Sequence, residues 1–210
     1  MTGLRRHALV RLSQAPQAGT DTDRLLAERW QAAGRPFVVA RGSGDPDTVA
    51  LGFCAVDARH PELRPRRVAV RTDPRHVIDV ARPPALDEIA RCPAAHAVAP
   101  LARLAAAAVE EAIDIRVYGS WMWQALTGEA HVRDTSDLDV LVDVSGKEQA
   151  DRATGFLARQ EAALGLTLDG ELSFAGLGEV HWRDYRQGKA EVLVKAIDSM
   201  CLMPRAELRP

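Results

Sequence analysis

Asp137 and Asp139 stand at the head of an apolar run, Leu138-Asp139-Val140-Leu141-Val142, with one leucine between them. Side chains alternate along a strand, so the two carboxylates share a face and Leu138 takes the other. Two carboxylates a few ångströms apart repel unless a cation lies between them. Hard oxygen donors suit Mg²⁺, which takes one or two carboxylates together with phosphate oxygens. Upstream, Val117-Tyr118 ends a short apolar run at Gly119-Ser120, and Trp121-Met122-Trp123-Gln124 continues as a helix. The unpaired N–H groups of a helix start receive phosphate well. The two halves together describe metal-dependent phosphoryl or nucleotidyl transfer, with Asp137 and Asp139 as metal ligands and Gly119 and Ser120 gripping phosphate. A wet edge strand and a tight turn contain the same letters. The order strand, Gly-Ser, helix, loop, paired acids is what favours a site.

A third acid is available. Asp169 and Glu171 lie two apart on the next strand candidate, so they too share a face. Either completes a carboxylate cluster or acts as base toward an incoming hydroxyl; residue types alone do not choose between them. Gly170 between them allows a close backbone approach or a turn. Lys195 sits in the apolar stretch Val192-Leu193-Val194-Lys195. A lysine there needs a carboxylate or a phosphate as partner. Arg67, in the basic cluster Arg64-Pro65-Arg66-Arg67, is a further phosphate candidate, since guanidinium matches phosphate oxygens bidentately. A solvated basic face accounts for that cluster equally well. His131 and His181 are isolated and receive no role.

The elements that position these residues follow from periodicity. Asp21 or Thr22 can cap a helix with Leu25, Leu26 and Trp30 on its buried side. Phe37 to Ala40, Val49 to Val56 and Val68-Ala69-Val70 have strand character. These form a small N-terminal α/β domain, residues 1–82, for substrate or partner binding. Pro83-Pro84, Pro93 and Pro100 punctuate a linker over 83–100, with one helical piece at Leu86 to Ala90. Residues 101–210 form the catalytic domain. It runs through an Ala-rich helix from Leu101, the strand Ile115 to Tyr118, the helix from Trp121 and the acid-bearing strand Leu138 to Val144. A long amphipathic helix, Lys147 to Leu164, and strands near 166–174, 180–182 and 191–197 complete it.

Composition narrows the class. The 210 residues contain 47% hydrophobic and 27% charged side chains and a net charge of −2, as in an ordinary globular protein. Residues 1–100 hold 15 Lys/Arg against 11 Asp/Glu, and residues 101–210 hold 12 against 18. A basic half beside an acidic half suits an anionic substrate bridging to a metal. The chain lacks a long basic stripe with interleaved aromatics, which argues against nucleic-acid binding. Cys54, Cys92 and Cys201 show no metal-ligand spacing and suit a reducing compartment. No apolar run reaches membrane-spanning length, and no leader peptide is evident, so a cytoplasmic location is expected.

The pattern of glycine-serine, helix, loop and paired aspartates resembles the nucleotidyltransferase superfamily that shares the core of DNA polymerase beta. That resemblance implies a mixed sheet flanked by helices. The loop between Ser120 and Asp137 is longer than the superfamily's common spacing. A narrower resemblance spans most of the chain. Gly119-Ser120-Trp121-Met122-Trp123-Gln124-Ala125-Leu126-Thr127-Gly128, Ser136-Asp137-Leu138-Asp139-Val140-Leu141, Leu168-Asp169-Gly170-Glu171-Leu172 and Val192-Leu193-Val194-Lys195 are similar to segments of the malonate decarboxylase holo-acyl-carrier-protein synthases. His7-Ala8-Leu9-Val10, and Trp30 followed by Arg35-Pro36-Phe37-Val38-Val39, resemble that family's first domain.

The resemblance implies a phosphoribosyl-dephospho-CoA transferase of the nucleotidyltransferase class. Its donor is triphosphoribosyl-dephospho-CoA and its acceptor a serine of the malonate decarboxylase acyl-carrier subunit; pyrophosphate leaves. Asp137 and Asp139 then hold Mg²⁺ against the triphosphate, and Asp169 or Glu171 binds a second metal or deprotonates the serine. Two other functions fit the same letters. One is a nucleotidyltransferase using an ordinary nucleoside triphosphate on a small molecule or a protein. The other is a non-catalytic scaffold for the carrier subunit, against which the intact acid pair speaks.

Overall fold

A computed structural model describes residues 4–42, 45, 47–60, 62–92 and 98–208. Helices and strands mix in two compact units, as the expected α/β (α+β) class requires. The first unit is residues 1–83 with 126–131 and 197–199; the second is 84–125, 132–196 and 200–210.

The first unit contains β1 (Leu9–Leu12), β2 (Gln17–Ala18), α1 (Asp21–Ala32), β3 (Phe37–Val39), β4 (Val49–Ala55), β5 (Arg66–Thr72) and β6 (Val77–Ala81). The strands form one sheet in the order β2-β5-β4-β3-β1-β6, with antiparallel neighbours. Alternation sets its core: along β5, Val68 and Val70 turn inward while Arg67, Ala69 and Arg71 face out. Trp30 of α1 packs on Phe53 at 4.7 Å between centroids, and Phe37 meets Phe53 edge-on. The indole Nε1 of Trp30 donates to the Pro36 carbonyl, so this buried polar atom is satisfied. The cap of α1 is Thr20, whose hydroxyl accepts from the Asp23 N–H, and not Asp21 or Thr22, which are the first two residues of the helix. The buried residues of α1 are Ala27 and Trp30, and Leu25 is exposed.

The second unit begins with α2 (Leu86–Ala90) and α3 (Val98–Glu110). The helical piece expected at Leu86 to Ala90 within the connection is α2, and its Leu86 and Ile89 are buried in this unit's core. Residues 93–97, including Pro93, lie outside the described residues. Then come β7 (Ile115–Val117), α4 (Gly119–Thr127), β8 (Leu138–Val144), α5 (Lys147–Leu164), β9 (Leu168–Phe174), β10 (Gly178–His181), α6 (Trp182–Arg186), β11 (Glu191–Lys195) and β12 (Met200–Pro204). The sheet order is β12-β11-β10-β9-β8-β7. β8 and β9 are parallel, and the other neighbours antiparallel. Parallel neighbours require a crossover, which α5 supplies. Gly165 ends α5 in the left-handed region at φ 64, the usual glycine stop. Ala150, Ala153, Phe156 and Leu157 of α5 are buried with Val140, Val142, Leu168 and Leu172 of the sheet. One sheet face is thus consumed by the core, leaving the other for polar residues.

No helix of the described residues is long and apolar enough to cross a membrane.

Candidate active site

The parallel ladder of β8 and β9 builds the site. Asp139 is paired with Asp169, and Leu141 with Glu171. Paired residues of adjacent strands project to the same side, about 4.8 Å apart. Leu138, Val140 and Leu168 fill the opposite, buried face and so fix which way the acids point. Asp137 precedes β8 by one residue and keeps its alternation. One carboxylate oxygen from each of Asp137, Asp139 and Asp169 lies within 4.8 Å of the others. Three formal negative charges at that spacing repel one another, and a cation among them would relieve that repulsion. The donor set, all hard oxygen, fits Mg²⁺.

Gly119 stands directly behind this cluster. Its φ of +68 is left-handed, and an added Cβ would lie 1.8 Å from Asp139 Oδ2. Glycine is needed there twice over, for the backbone and for the space. The Tyr118 N–H donates to the Asp139 carbonyl, tying the entrance of α4 to the acid strand. Gly119, the first residue of α4, therefore lies against Asp139, and Ser120 beside it is half-buried.

The Trp-Met-Trp-Gln segment has a mechanical explanation. Trp121, Met122 and Trp123 are all buried. Trp121 Nε1 donates to the Asp137 carbonyl at 3.1 Å, and the Val132 N–H donates to Gln124 Oε1 at 2.9 Å. Ser136 Oγ accepts from the Arg133 N–H. The long loop before Asp137 is thus pinned at Val132, at Arg133 and at the aspartate itself.

Glu171 is not part of the three-acid cluster. It is 4% exposed and accepts from Lys195 Nζ at 2.7 Å. The lysine's partner is a carboxylate, and the pair lies within the second sheet. Of the two acids left open by sequence, Asp169 is the one beside Asp139. Gly170 is explained by close approach: a Cβ there would meet Trp182 Cδ1 at 2.8 Å and Val140 Cγ2 at 2.9 Å. Arg67 is exposed on β5 of the first unit.

One residue that received no role in the sequence reading belongs here. His181 Nε2 lies 3.0 Å from Asp169 Oδ1. The only available signal was alternation, since Glu179 and His181 are two apart on β10 and both face the acid side. His131, by contrast, is buried in the first unit, and burial holds its imidazole pKa below the ordinary value.

Comparison with known proteins agrees with this organisation. Residues 5–83 match the family model described as the phosphoribosyl-dephospho-CoA transferase MdcG N-terminal domain, and residues 85–206 match the corresponding C-terminal domain. A phosphoribosyl-dephospho-CoA transferase of Xanthomonas euvesicatoria pv. vesicatoria is 40% identical over 98% of this chain and 96% of its own length. One of Bradyrhizobium diazoefficiens is 38% identical over 87% and 79% respectively. Another, of Xanthomonas campestris pv. campestris, is 36% identical over 98% and 96%. No solved structure matches significantly. Two family models that between them span nearly the whole chain, and relatives this similar over nearly its full length, establish that the chain belongs to the phosphoribosyl-dephospho-CoA transferase family.

Proposed function

We propose that the chain is a nucleotidyltransferase that moves phosphoribosyl-dephospho-CoA from its triphosphoribosyl donor to a serine of the malonate decarboxylase acyl-carrier subunit. The observation that carries this reading is the Asp137–Asp139–Asp169 cluster backed by Gly119, in a chain of this family. The serine oxygen bonds to the donor's α-phosphorus, the bond from that phosphorus to the β-phosphate bridging oxygen breaks, and the hydroxyl proton is released. The products are a phosphodiester and pyrophosphate.

Asp137, Asp139 and Asp169 would hold Mg²⁺, which would neutralise the triphosphate and the charge developing on the leaving pyrophosphate. The chain's own contribution is placement. The β8–β9 register sets the acids, Trp121 fixes the Asp137 backbone, and Gly119 leaves room for the Asp139 carboxylate. Ser120 and the start of α4 offer hydrogen bonds to phosphate oxygens beside the acids. In transfers of this kind positioning and charge stabilisation supply most of the rate. The Lys195–Glu171 pair holds the neighbouring part of the acid-bearing face. The mixed sheet that carries the acids is the architecture expected of a polymerase beta-like catalytic domain, and it supports placing the catalytic residues within 101–210. Soluble substrates of this type suit a cytoplasmic location.

The test is to incubate the purified chain with Mg²⁺, the triphosphoribosyl donor and apo carrier subunit, and to weigh the carrier by mass spectrometry. The carrier should gain one phosphoribosyl-dephospho-CoA, with stoichiometric pyrophosphate, and Asp139→Asn should abolish the gain. An unchanged carrier mass sinks the proposal. Modification of the carrier by an ordinary nucleoside triphosphate in its place would move the chain to a different donor class.

A further inference from the structure

We propose that His181 is a positioning residue for the metal cluster: its ring N–H holds one oxygen of Asp169 and thereby presents the other to the cation. The inference rests on the metal-dependent reading above. A carboxylate only accepts, so in the 3.0 Å contact with Asp169 Oδ1 the imidazole Nε2 is the donor. The His181 side chain is 26% exposed and that of Asp169 44%. The histidine is therefore the more fixed partner, and the acid the one that could rotate away.

Asp169 needs such a restraint. Without a cation it is repelled by Asp137 and Asp139, and its half-exposed side chain can swing toward water. The three residues 181–183 grip this end of β9 at successive points. His181 pairs with Glu171 in the β10–β9 ladder, which fixes its backbone. Trp182 Nε1 and Arg183 Nη1 both donate to the Leu168 carbonyl at 3.0 Å, one residue before the acid. Glu161 accepts from the Leu168 N–H and pairs with Arg183, anchoring the same point to α5. The backbone beside Asp169 is thus held from below, and His181 holds the side chain from the site's own face. Metal-binding carboxylates are commonly oriented by an outer hydrogen-bond donor in this way.

The test uses the full chain and Mn²⁺ as a probe, titrated by the electron paramagnetic resonance signal of the free ion. His181→Ala should weaken Mn²⁺ binding about 10-fold or more, whereas His181→Gln, whose amide N–H reaches a similar position, should stay within about 3-fold of the parent. Both variants should melt close to the parent in metal-free buffer. Parental Mn²⁺ affinity in His181→Ala overturns the proposal, as does a glutamine variant no better than alanine. A parent chain that binds no Mn²⁺ removes the metal reading and this inference with it. A parent that binds Mn²⁺ but does not modify the carrier refutes the substrate assignment alone.

Discussion

Gly119→Ala separates the chemistry of the site from the stability of the fold. Gly119 has φ +68, where an L-residue pays about 1–2 kcal/mol. At about 2–4 °C per kcal/mol for a chain of this size, the melting point should fall by roughly 2–8 °C. The site should suffer far more. The new Cβ would lie 1.8 Å from Asp139 Oδ2, and ordinary contact begins near 3.4 Å. The carboxylate must retreat by roughly 1.6 Å, well beyond the ~0.5 Å that a preorganised site tolerates. A displacement of that size costs on the order of 10²-fold in rate. The assay is carrier modification by mass spectrometry at a temperature where circular dichroism shows the variant fully folded. Transfer at half the parental rate or better would refute the claim that Gly119 makes room for a catalytic carboxylate. So would a rate loss that only tracks the unfolded fraction.

Other perturbations address different parts of the structure. Glu171→Gln or Lys195→Met, made singly, should each destabilise by roughly 2–3 kcal/mol in urea unfolding, because each removes one member of an ion pair whose glutamate is almost fully buried. The double variant should recover much of that loss, and additive losses would show that the two side chains do not depend on each other. Trp121→Phe keeps the apolar packing but removes the donor to the Asp137 carbonyl; about 1 kcal/mol of stability and a larger fall in kcat than in substrate affinity should follow. Unchanged kcat would show that the loop holds Asp137 by itself. His131 has its pKa lowered by burial, so as pH drops through about 6.5 the unfolded chain takes up a proton that the folded chain refuses. Stability should therefore decline with falling pH from that point down to the lowered folded-state pKa, by at most about 1.4 kcal/mol per pH unit from this group. His131→Gln should have a flatter melting-temperature profile between pH 7.5 and 5.5; parallel profiles would exclude His131 as the cause.

Much of the second unit was legible from residue order. The strand 138–144 and the helix 147–164 have the expected bounds, since alternation marks one and flanking glycines mark the other. The choice between Asp169 and Glu171 was not legible. It depends on a parallel register, Asp139 opposite Asp169, that local periodicity does not encode, and on Lys195 reaching Glu171 across β10. His181 became visible only when β10 folded back on β9 and set it against Glu171. α6 is too short to show a helical period. β12, Met-Cys-Leu-Met-Pro, is an edge strand with little polar alternation to announce it. In the first unit, the cap of α1 is Thr20 where Asp21 or Thr22 was expected, because the Thr20 hydroxyl is the one that accepts from the Asp23 N–H.

The parallel pairing of β8 with β9 also has a kinetic consequence. Asp139 and Asp169 are thirty residues apart in the chain, with α5 in the loop that joins them. Closing it costs chain entropy before any contact across the ladder repays it, and the last approach brings like charges together. Assembly of the acid cluster is therefore expected to follow formation of the local elements on the folding path. A divalent cation present during refolding would lower the electrostatic barrier to that step, and a chelator would leave newly made chains waiting longest with the β8 edge unpaired.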